Sequence, residues 1–436
     1  MQLLLFLVTI WLYLQLAWMR ASEGIKNNRN ANNDKTVAVP LIAAYGGFHY
    51  AEIGIGTPPQ KFKVFFDTWD QNTWITSTKC PAEKYAMCRN HARYDAKIST
   101  TSNETTEEIS YVKSGITVTG TITEDKVTLG NQIVSHPFGE ANATNSETLA
   151  TAVFDGSFGM GCASTGTGRP TILQSLVKSG VINKQVFGVY AISNANGEIM
   201  FGGYNEALYS GDLEFERVKT KTEWVFGIKR IVFGNEDLTG KNCQGILDDG
   251  SHYIFGPTEQ VKKIYKQLTC DPSKLCEVDC TKVSTLPQLK ITFGKTEFII
   301  GPEDYIDKKG NKCTGRIFDV SQHVWALGTL FLDKVYTAYD VGNAKIGFAH
   351  AKTPSSTLSP TARSTTAMPT MSTTRMKSTT KEPTTTKTGT TPTKESRTAT
   401  TQGPQPTTTS AVSTLSFNYK SIGLVLVMAV FRYLQM

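Results

Sequence analysis

One short pattern occurs in both halves of the chain, and this repeat limits the possible folds more than any other feature. Residues 65–69 read FFDTW and residues 246–250 read ILDDG, so each copy contains an apolar run that ends at an aspartate. Each copy is followed about 80 to 90 residues later by a short run that closes on glycine, at 157–159 and 326–328. Two such lobes, packed together, would place one carboxylate from each copy at their interface. The two carboxylates are those of Asp67 and Asp248.

The sequence around these repeats predicts a mainly β protein. Between residues 45 and 351, short runs of β-branched and aromatic residues alternate with turns rich in Gly, Asn and Asp. Only residues 169–180 and 258–268 carry clear helix signals, each with a polar residue or proline at its start. A β unit of roughly 300 residues exceeds one ordinary sandwich, so we expect two β lobes. Their expected limits are 45–210 and 211–351.

The N-terminus predicts entry into the secretory pathway. The chain begins MQLLLFLVTIWLYLQLAW and continues with small residues, which is typical of a signal peptide, here at 1–21. Cleavage after Ala17, Ala21 or Gly24 is consistent with the pattern. A membrane anchor is disfavoured because the flanks lack a stop-transfer pattern. Residues 22–44 then form a short N-terminal segment.

Composition changes abruptly after the second lobe. Residues 352–415 are mostly Thr, Ser and Pro with scattered Lys and Arg, and such a segment cannot bury enough apolar surface to offset its ordering entropy. We expect a disordered Thr/Ser-rich stalk that carries O-linked sugars, with a bare flexible tail as the alternative. The sequons at Asn103 and Asn142 also fit a glycoprotein.

The chain ends in a second apolar run, at 416–436. Its apolar stretch, 422–431, is about half of the roughly 20 residues that a spanning helix needs. Small residues at Ser410 and Ala411, a polar spacer and an apolar tail match a signal for a GPI anchor, although Arg432 interrupts the tail. We therefore expect a GPI-anchored protein on the extracellular face of the plasma membrane, with a short transmembrane helix as the alternative.

Eight cysteines in a secreted chain favour disulfide bonds. No spacing of Cys and His indicates zinc, so we expect no metal and no other cofactor. Two pairs are near enough in sequence to close short loops. They are Cys80 with Cys88 and Cys270 with Cys276.

The net charge of +7 does not indicate nucleic-acid binding. The stretch 352–414 contains eight Lys and Arg and two Glu, and Lys420 and Arg432 add two further positive charges, so residues 1–351 have a net charge of −1. The part expected to fold is almost neutral and needs no basic face. We expect no nucleic-acid partner.

Several further motifs occur in order between Tyr45 and Ala351. They are YAEIGIGTPPQ at 50–60, Asn72 and Trp74, Asp155 with Gly156, FGG at 201–203, WALG at 325–328 and IGF at 346–348. Together with the two aspartate turns, these motifs resemble the pepsin-like aspartic endopeptidases. The resemblance implies a two-lobed acid protease fold with a deep interlobe cleft.

The same resemblance implies that Asp67 and Asp248 are the catalytic pair. Two close carboxylates cannot both ionise, so they share one proton; one acts as a base on water and the other as an acid. It also implies two disulfides, Cys80–Cys88 and Cys280–Cys313. Cys162 and Cys243 either pair with each other or stay free.

The turns themselves depart from the family, which has Asp-Thr-Gly at both. The first keeps Thr68 but has Trp69, a large ring where glycine lets the two loops approach. The second keeps Gly250 but has Asp249 in place of the threonine that both donates and accepts across the lobes. An ionised carboxylate only accepts. Ser251 preserves a hydroxyl.

Three further positions bear on the site. The resemblance places Lys113 where the family has a flap tyrosine, so Trp74 loses the partner that this tyrosine normally provides. Lys113 is either an exposed hairpin residue or an ion-pair partner of the carboxylates. His252 is expected to be a solvated loop histidine.

These changes favour a monomeric cell-surface homologue of the aspartic endopeptidases with impaired or lost proteolysis. Its cleft would bind a peptide or an unfolded protein, and its binding residues would include the seven substituted or neighbouring positions. These are Thr68, Trp69, Trp74, Lys113, Asp249, Gly250 and Ser251. The alternative is an active acid endopeptidase that cleaves peptide bonds through Asp67 and Asp248.

Overall fold

The computed structural model describes residues 34–44, 47–113, 116–162, 169–220 and 223–353, without the side chain of Lys113. The expected signal peptide at 1–21, the anchor signal at 416–436 and nearly all of the stalk at 352–415 lie outside these residues. Within the described part, no helix is long and apolar enough to cross a bilayer.

The fold is mainly β, as expected. The first half contributes ten strands to the described structure. They are β1 (Val37–Ala43), β2 (His49–Ile55), β3 (Gln60–Asp67), β4 (Trp74–Thr76), β5 (Asn103–Lys113), β6 (Ile116–Leu129), β7 (Gln132–Thr144), β8 (Gly156–Gly159), β9 (Val186–Tyr190) and β10 (Gly197–Phe201).

The second half contributes fifteen described strands. They are β11 (Tyr209–Arg217), β12 (Phe226–Gly227), β13 (Arg230–Phe233), β14 (Glu236–Asp237), β15 (Gln244–Leu247), β16 (Ile254–Pro257), β17 (Glu277–Val278), β18 (Leu289–Phe293), β19 (Thr296–Ile300), β20 (Ile306–Lys309), β21 (Lys312–Gly315), β22 (Ile317–Val320), β23 (Trp325–Leu327), β24 (Val335–Asp340) and β25 (Lys345–Ala351).

Strands from both halves share one sheet, and this joins the lobes. Its strand order begins β11-β25-β24-β9-β10-β1 and continues through β2-β3-β8-β4-β7-β6-β5, with β2 also paired to β6. Strand β1 lies in the segment expected to precede the first lobe, and it pairs with both β10 and β2. The rest of the second half forms three smaller sheets, of which β12-β15-β23-β16-β22 carries Asp248 at the end of β15.

Each aspartate lies at the end of a strand in the same local arrangement. Strand β3 runs parallel to β8, which is antiparallel to β4. In the second half, β15 runs parallel to β23, which is antiparallel to β16. Gly159 ends the first turn's partner strand and Gly328 follows the second's, and neither position has room for a Cβ because the chain that follows the aspartate turn of the same half lies against it. The two halves therefore share one backbone frame around their aspartates.

The helices are short. They are α1 (Ala86–Asn90), α2 (Ile172–Lys178), α3 (Thr258–Leu268), α4 (Pro302–Tyr305) and α5 (Thr329–Leu332), with 3-10 turns at Ala96–Ile98, Thr148–Thr151, Pro272–Lys274 and Val283–Thr285. Both helices expected from the sequence are present. Thr171 and Gln174 form a capping box at the start of α2. Helix α3 buries Val261, Ile264 and Leu268, the spacing of one helical face.

Three disulfide bonds are present. They are Cys80–Cys88, Cys270–Cys276 and Cys280–Cys313, which confirms the expected pairs. Cys162 and Cys243 are free thiols, and burial raises the pKa of each to about 11. A raised pKa disfavours the reactive thiolate at both positions. The three bonds are consistent with folding in the secretory pathway.

Candidate active site

Backbone amides on its own turn hold the carboxylate of Asp67. Its Oδ1 accepts hydrogen bonds from the amides of Trp69, at 2.8 Å, and Asp70, at 3.1 Å. The carbonyl of Asp67 accepts the amide of Met160 at 2.8 Å, which ties the turn to the end of β8. Because the backbone itself orients the side chain, the position of Asp67 does not depend on which side chain occupies residue 69.

Asp248 is held in the same way. Its Oδ1 accepts the amide of Gly250 at 3.3 Å, and its own amide donates to the carbonyl of Leu327 at 3.0 Å. The side chain is buried, with 1% of the residue exposed. The two halves thus present equivalent carboxylates on equivalent turns.

Both aspartates line one cavity of about 80 Å³. Trp69, Trp74, Asp249 and Gly250 of the expected binding residues line the same cavity. Thr68 does not; it lies with Asp249 on a second cavity of about 60 Å³. Ser251 is buried beside the second turn, where its carbonyl accepts the amide of Thr329 and its hydroxyl accepts the amide of Tyr253.

Trp69 connects the first turn to the second half. Its indole N–H donates to the carbonyl of Leu247, the residue that precedes Asp248. Its ring packs on a small apolar cluster of the second half that includes Ile246 and Ala326. The ring thus leaves its own half and lies against the residues that precede Asp248.

Thr68 and Asp249 form a hydrogen bond between the halves in which only Thr68 donates. The hydroxyl of Thr68 donates to Oδ2 of Asp249 at 3.1 Å, as expected for a carboxylate that only accepts. Below this contact lies the buried Tyr339, whose pKa is raised mainly by burial and also by the charge of Asp249.

Asp70 stabilises the loop that follows the first turn. Its Oδ1 accepts the amides of Gln71, at 2.7 Å, and Asn72, at 3.0 Å, and the side-chain amide of Asn72 at 2.8 Å. These three hydrogen bonds to one carboxylate oxygen fix the loop after the first turn.

The sequence analysis missed Tyr111. This residue of β5 lines the cavity and belongs to the same buried cluster as Trp74. Burial raises the pKa of Tyr111 to about 12, and the nearby Arg169 partly offsets that rise. Lys113 closes β5, and its side chain lies outside the described structure.

His252 is not a solvated loop residue, which corrects the expectation. It is partly buried, its Nδ1 hydrogen bonds with the hydroxyl of Thr329 at 3.1 Å, and its ring contacts that of Phe48. Burial lowers the pKa of His252, and the positive charge of Arg316 lowers it further. The histidine supports the second turn from outside the cavity.

Among the described residues, no group of three or more His, Cys, Asp or Glu side chains could hold a metal ion.

Two aspartates on matched turns, facing one cavity between two β lobes, define the site of an aspartic protease. Comparison with known proteins agrees. The family model for the eukaryotic aspartyl proteases matches residues 48–351, and the chain belongs to that family.

Three relatives illustrate the similarity. The chain is 31% identical to Renin-2 of Mus musculus over 351 residues, which is 77% of this chain and 87% of that protein. It is 33% identical to Renin of Canis lupus familiaris over 342 residues, 74% of this chain and 84% of that protein. It is 29% identical to Gastricsin of Rattus norvegicus over 332 residues, 72% and 84% of the two chains.

Proposed function

We propose that this protein is a cell-surface member of the aspartyl protease family in which proteolysis is impaired or lost and the cleft binds a peptide or protein. The observation that carries the proposal is the position of Trp69. Its ring crosses from the first turn and is held against the carbonyl of Leu247, next to Asp248. An extended substrate would need that space to bring its scissile bond to both carboxylates.

The size of the remaining cavity supports the same conclusion. Its volume is about 80 Å³, whereas small-molecule sites commonly have volumes of about 300–1,000 Å³. A space of this size admits a short side chain and is smaller than the sites that hold whole small molecules. The cleft therefore suits recognition of a protruding group better than cleavage of a chain.

The side chain of Asp249 also supports the proposal that proteolysis is impaired. The hydroxyl of Thr68 donates across the lobes, but the carboxylate of Asp249 has no proton to donate in return when ionised. It also adds a negative charge beside a pair of carboxylates that must share one proton for catalysis. Each such loss removes up to a few kcal/mol of transition-state stabilisation, and losses within one cooperating unit do not simply add.

The test is an acid proteolysis assay. Purified full-length protein is incubated with an unfolded protein substrate from pH 3 to pH 6, and we expect no cleavage. Cleavage that is abolished both by an inhibitor directed at the aspartate pair and by Asp248→Asn would contradict the proposal.

A Trp69→Gly variant tests the role of the ring in binding. Pull-down of partners with the native protein and with this variant should give different sets or amounts of bound protein. If both bind identically, the cleft is not the binding site.

Attachment to the cell surface is part of the proposal and rests on the C-terminal sequence. A phosphatidylinositol-specific phospholipase should release the protein from intact cells. Retention after treatment would favour the short transmembrane helix instead.

One observation favours a second function, an active acid endopeptidase. Asp67 and Asp248 each accept the backbone amide two residues further on, so their positions are equivalent. At low pH a protonated Asp249 could donate a hydrogen bond again. The proteolysis assay decides between the two functions.

A further inference from the structure

Strand β5 of the first half lies at the edge of the large sheet and is irregular there. Among the described strands it pairs only with β6. Its register shifts at residues 104–108, which lie opposite only residues 121–123 of β6. The extra residues form a β-bulge, which leaves part of the strand without partners in the ladder.

This part of β5 is exposed along its whole length. Every residue from 103 to 108 is exposed, whereas a strand that packs on a core alternates between buried and exposed positions. An exposed sheet edge is already extended, so another chain or an extended-chain cleft can bind it. Residues 103–108 therefore present a backbone that an external protease can bind.

Two ion pairs at this edge do not cover the backbone. Lys79 pairs with Glu104, and Arg169 pairs with Glu107. The two glutamate side chains are still 45% and 58% exposed, respectively. Exposed ion pairs contribute little to stability, so these contacts are weak protection for the strand.

An N-glycosylation motif begins at this edge. Asn103 is the first residue of β5, and the motif continues through Glu104 to Thr105. Asn103 lies opposite Glu124 of β6, and both residues are exposed. Because directly opposite residues of an antiparallel pair share one face, a sugar on Asn103 extends into solvent and displaces no buried side chain.

Thr105 belongs both to the motif and to the bulge. Its hydroxyl donates to the carbonyl of Ile122 at 2.9 Å and accepts the amide of Glu107 at 3.2 Å. In the folded protein this hydroxyl therefore closes the bulge. A test of the sugar must keep these two contacts separate from the motif.

The motif at Asn142 has a different setting and serves as a comparison. Asn142 lies on β7, a strand that pairs with β4 on one side and β6 on the other. The residue is half-buried, and its side-chain carbonyl accepts the hydroxyl of Thr119 at 3.4 Å. A sugar there would cover an interior strand and not an open edge.

We propose that Asn103 carries an N-linked oligosaccharide and that this sugar shields the bulged edge of β5 from proteases. In the transfer, Nδ2 of Asn103 bonds to C1 of a sugar supplied by a lipid-diphosphate-linked oligosaccharide. The bond from C1 to the diphosphate oxygen breaks, the lipid diphosphate leaves, and Nδ2 loses one proton. A bulky, hydrated sugar then keeps other proteins away from the backbone beside it.

The inference rests on one part of the proposed function, entry into the secretory pathway, and on neither the loss of proteolysis nor the anchor. Peptide mass spectrometry of full-length protein secreted or displayed by animal cells measures the modification. We expect most copies of the peptide with Asn103 to carry the sugar. Unmodified Asn103 in protein whose disulfides have formed would overturn this inference alone. Protein with neither sugar nor disulfides would contradict both the inference and the proposed location.

Limited proteolysis of the folded full-length protein tests the shielding. A glutamate-specific endopeptidase has three sites within residues 103–108. Asn103→Gln should be cut there about tenfold faster than the native protein, because the sugar no longer covers the edge. Asn142→Gln is the matched control and should be cut there at the native rate. Equal rates for Asn103→Gln and native protein would overturn the inference.

Variants of Thr105 separate the sugar from the bulge. Thr105→Ser keeps the motif and the hydroxyl, and it should keep both the sugar and the resistance. Thr105→Ala loses both, whereas Asn103→Gln keeps the hydroxyl. Native protein whose sugars are removed by peptide N-glycosidase should be cut as fast as Asn103→Gln.

Two further outcomes have definite meanings. If the deglycosylated native protein stays resistant while Thr105→Ala is cut, the contacts of the bulge protect the strand, and the inference is overturned. Cleavage of an unfolded substrate in the acid assay would contradict the proposed loss of proteolysis and not this inference.

Discussion

The two aspartate turns have the same backbone and different side chains. In each, an aspartate at the end of a buried strand accepts the amide two residues further on. In each, the strand runs parallel to a short strand that closes on a glycine, Gly159 or Gly328. The pairing of these strands therefore determines where the carboxylates lie.

The side chains that follow the aspartates differ. The first turn continues with Thr68 and Trp69, and both reach the second half through hydrogen bonds. At the second turn Asp249 accepts the hydroxyl of Thr68, and Leu247, just before that turn, accepts the indole N–H of Trp69. One frame thus keeps its two carboxylates while the side chains that follow them differ between the halves.

The largest expected effect tests whether the two aspartate turns have the same backbone arrangement. Gly159→Ala and Gly328→Ala should each destabilise the fold by about 3 kcal/mol or more, because the new Cβ would overlap backbone atoms of Gln71 and Tyr253, respectively. Urea unfolding measures the change. Gly342→Ala, where a Cβ meets no close neighbour, is the control. A large difference between the first two variants would show that the frames are not equivalent.

The next effect concerns a buried histidine behind the first turn, which the second turn does not match. His136 is fully buried behind the first, where its Nε2 hydrogen bonds with Thr73 and its Nδ1 with Ser175, and burial lowers the pKa of His136 to about 3. Behind the second turn, Arg316 donates to the carbonyl of His252.

The unfolded chain takes up a proton on His136 below its ordinary pKa of about 6.5, whereas the folded chain does not. The stability that the neutral histidine provides is therefore complete above pH 6.5 and is lost towards pH 3. Between pH 6 and pH 4 this loss amounts to at most about 1.4 kcal/mol per pH unit.

Urea unfolding at several pH values measures this slope. His136→Gln should reduce it, and His350→Gln, an exposed position, should not. As the pH falls, hydrogen exchange should show that protection is lost first in the first half. The reason is that His136 is fully buried there, whereas His252 of the second half is only partly buried. An unchanged slope in His136→Gln would contradict the assignment.

A smaller effect is expected from loss of the hydrogen bond that Thr68 donates to Asp249. Thr68→Val removes the hydrogen bond to Asp249 and leaves a partly buried carboxylate with one donor fewer, which should cost about 2 kcal/mol. In an Asp249→Val background the same change should cost less. A double-mutant cycle gives the coupling energy, and a value near zero would mean that the contact does not join the halves.

The smallest effect compares two indole hydrogen bonds that cross between the halves in opposite directions. Trp69 donates to Leu247, and Trp224 donates to the carbonyl of Met160 at 3.1 Å. Trp69→Phe and Trp224→Phe keep most of the packing and should each cost about 1 kcal/mol. Thermal unfolding checks both. If Trp69→Phe leaves the thermal stability unchanged, the ring of Trp69 fills space but its hydrogen bond does not join the lobes.

Much of the site could be predicted because it depends on local pattern. The aspartate turns, the helix at Thr258–Leu268 and the three disulfides follow from short motifs, spacing and family resemblance. Tyr111 and Ser157 were not found in this way. Tyr111 lies two residues from the position where the resemblance expects a flap tyrosine. Ser157 stands out only in the structure, where it lines the cavity and its hydroxyl has no hydrogen-bond partner among the described residues. His252 was misjudged because no local signal records that Thr329 and Phe48 cover it.

The sequence by itself determined the β class, the duplicated aspartates and the residues that replace the family's turn glycine and threonine, because these are properties of residues near one another in the chain. Only the tertiary structure decided where the ring of Trp69 goes, that Thr68 reaches Asp249, and that four carboxylates and a serine hydroxyl share one small cavity. Side chains from distant parts of the chain meet there, and their packing depends on the free space that both halves leave together.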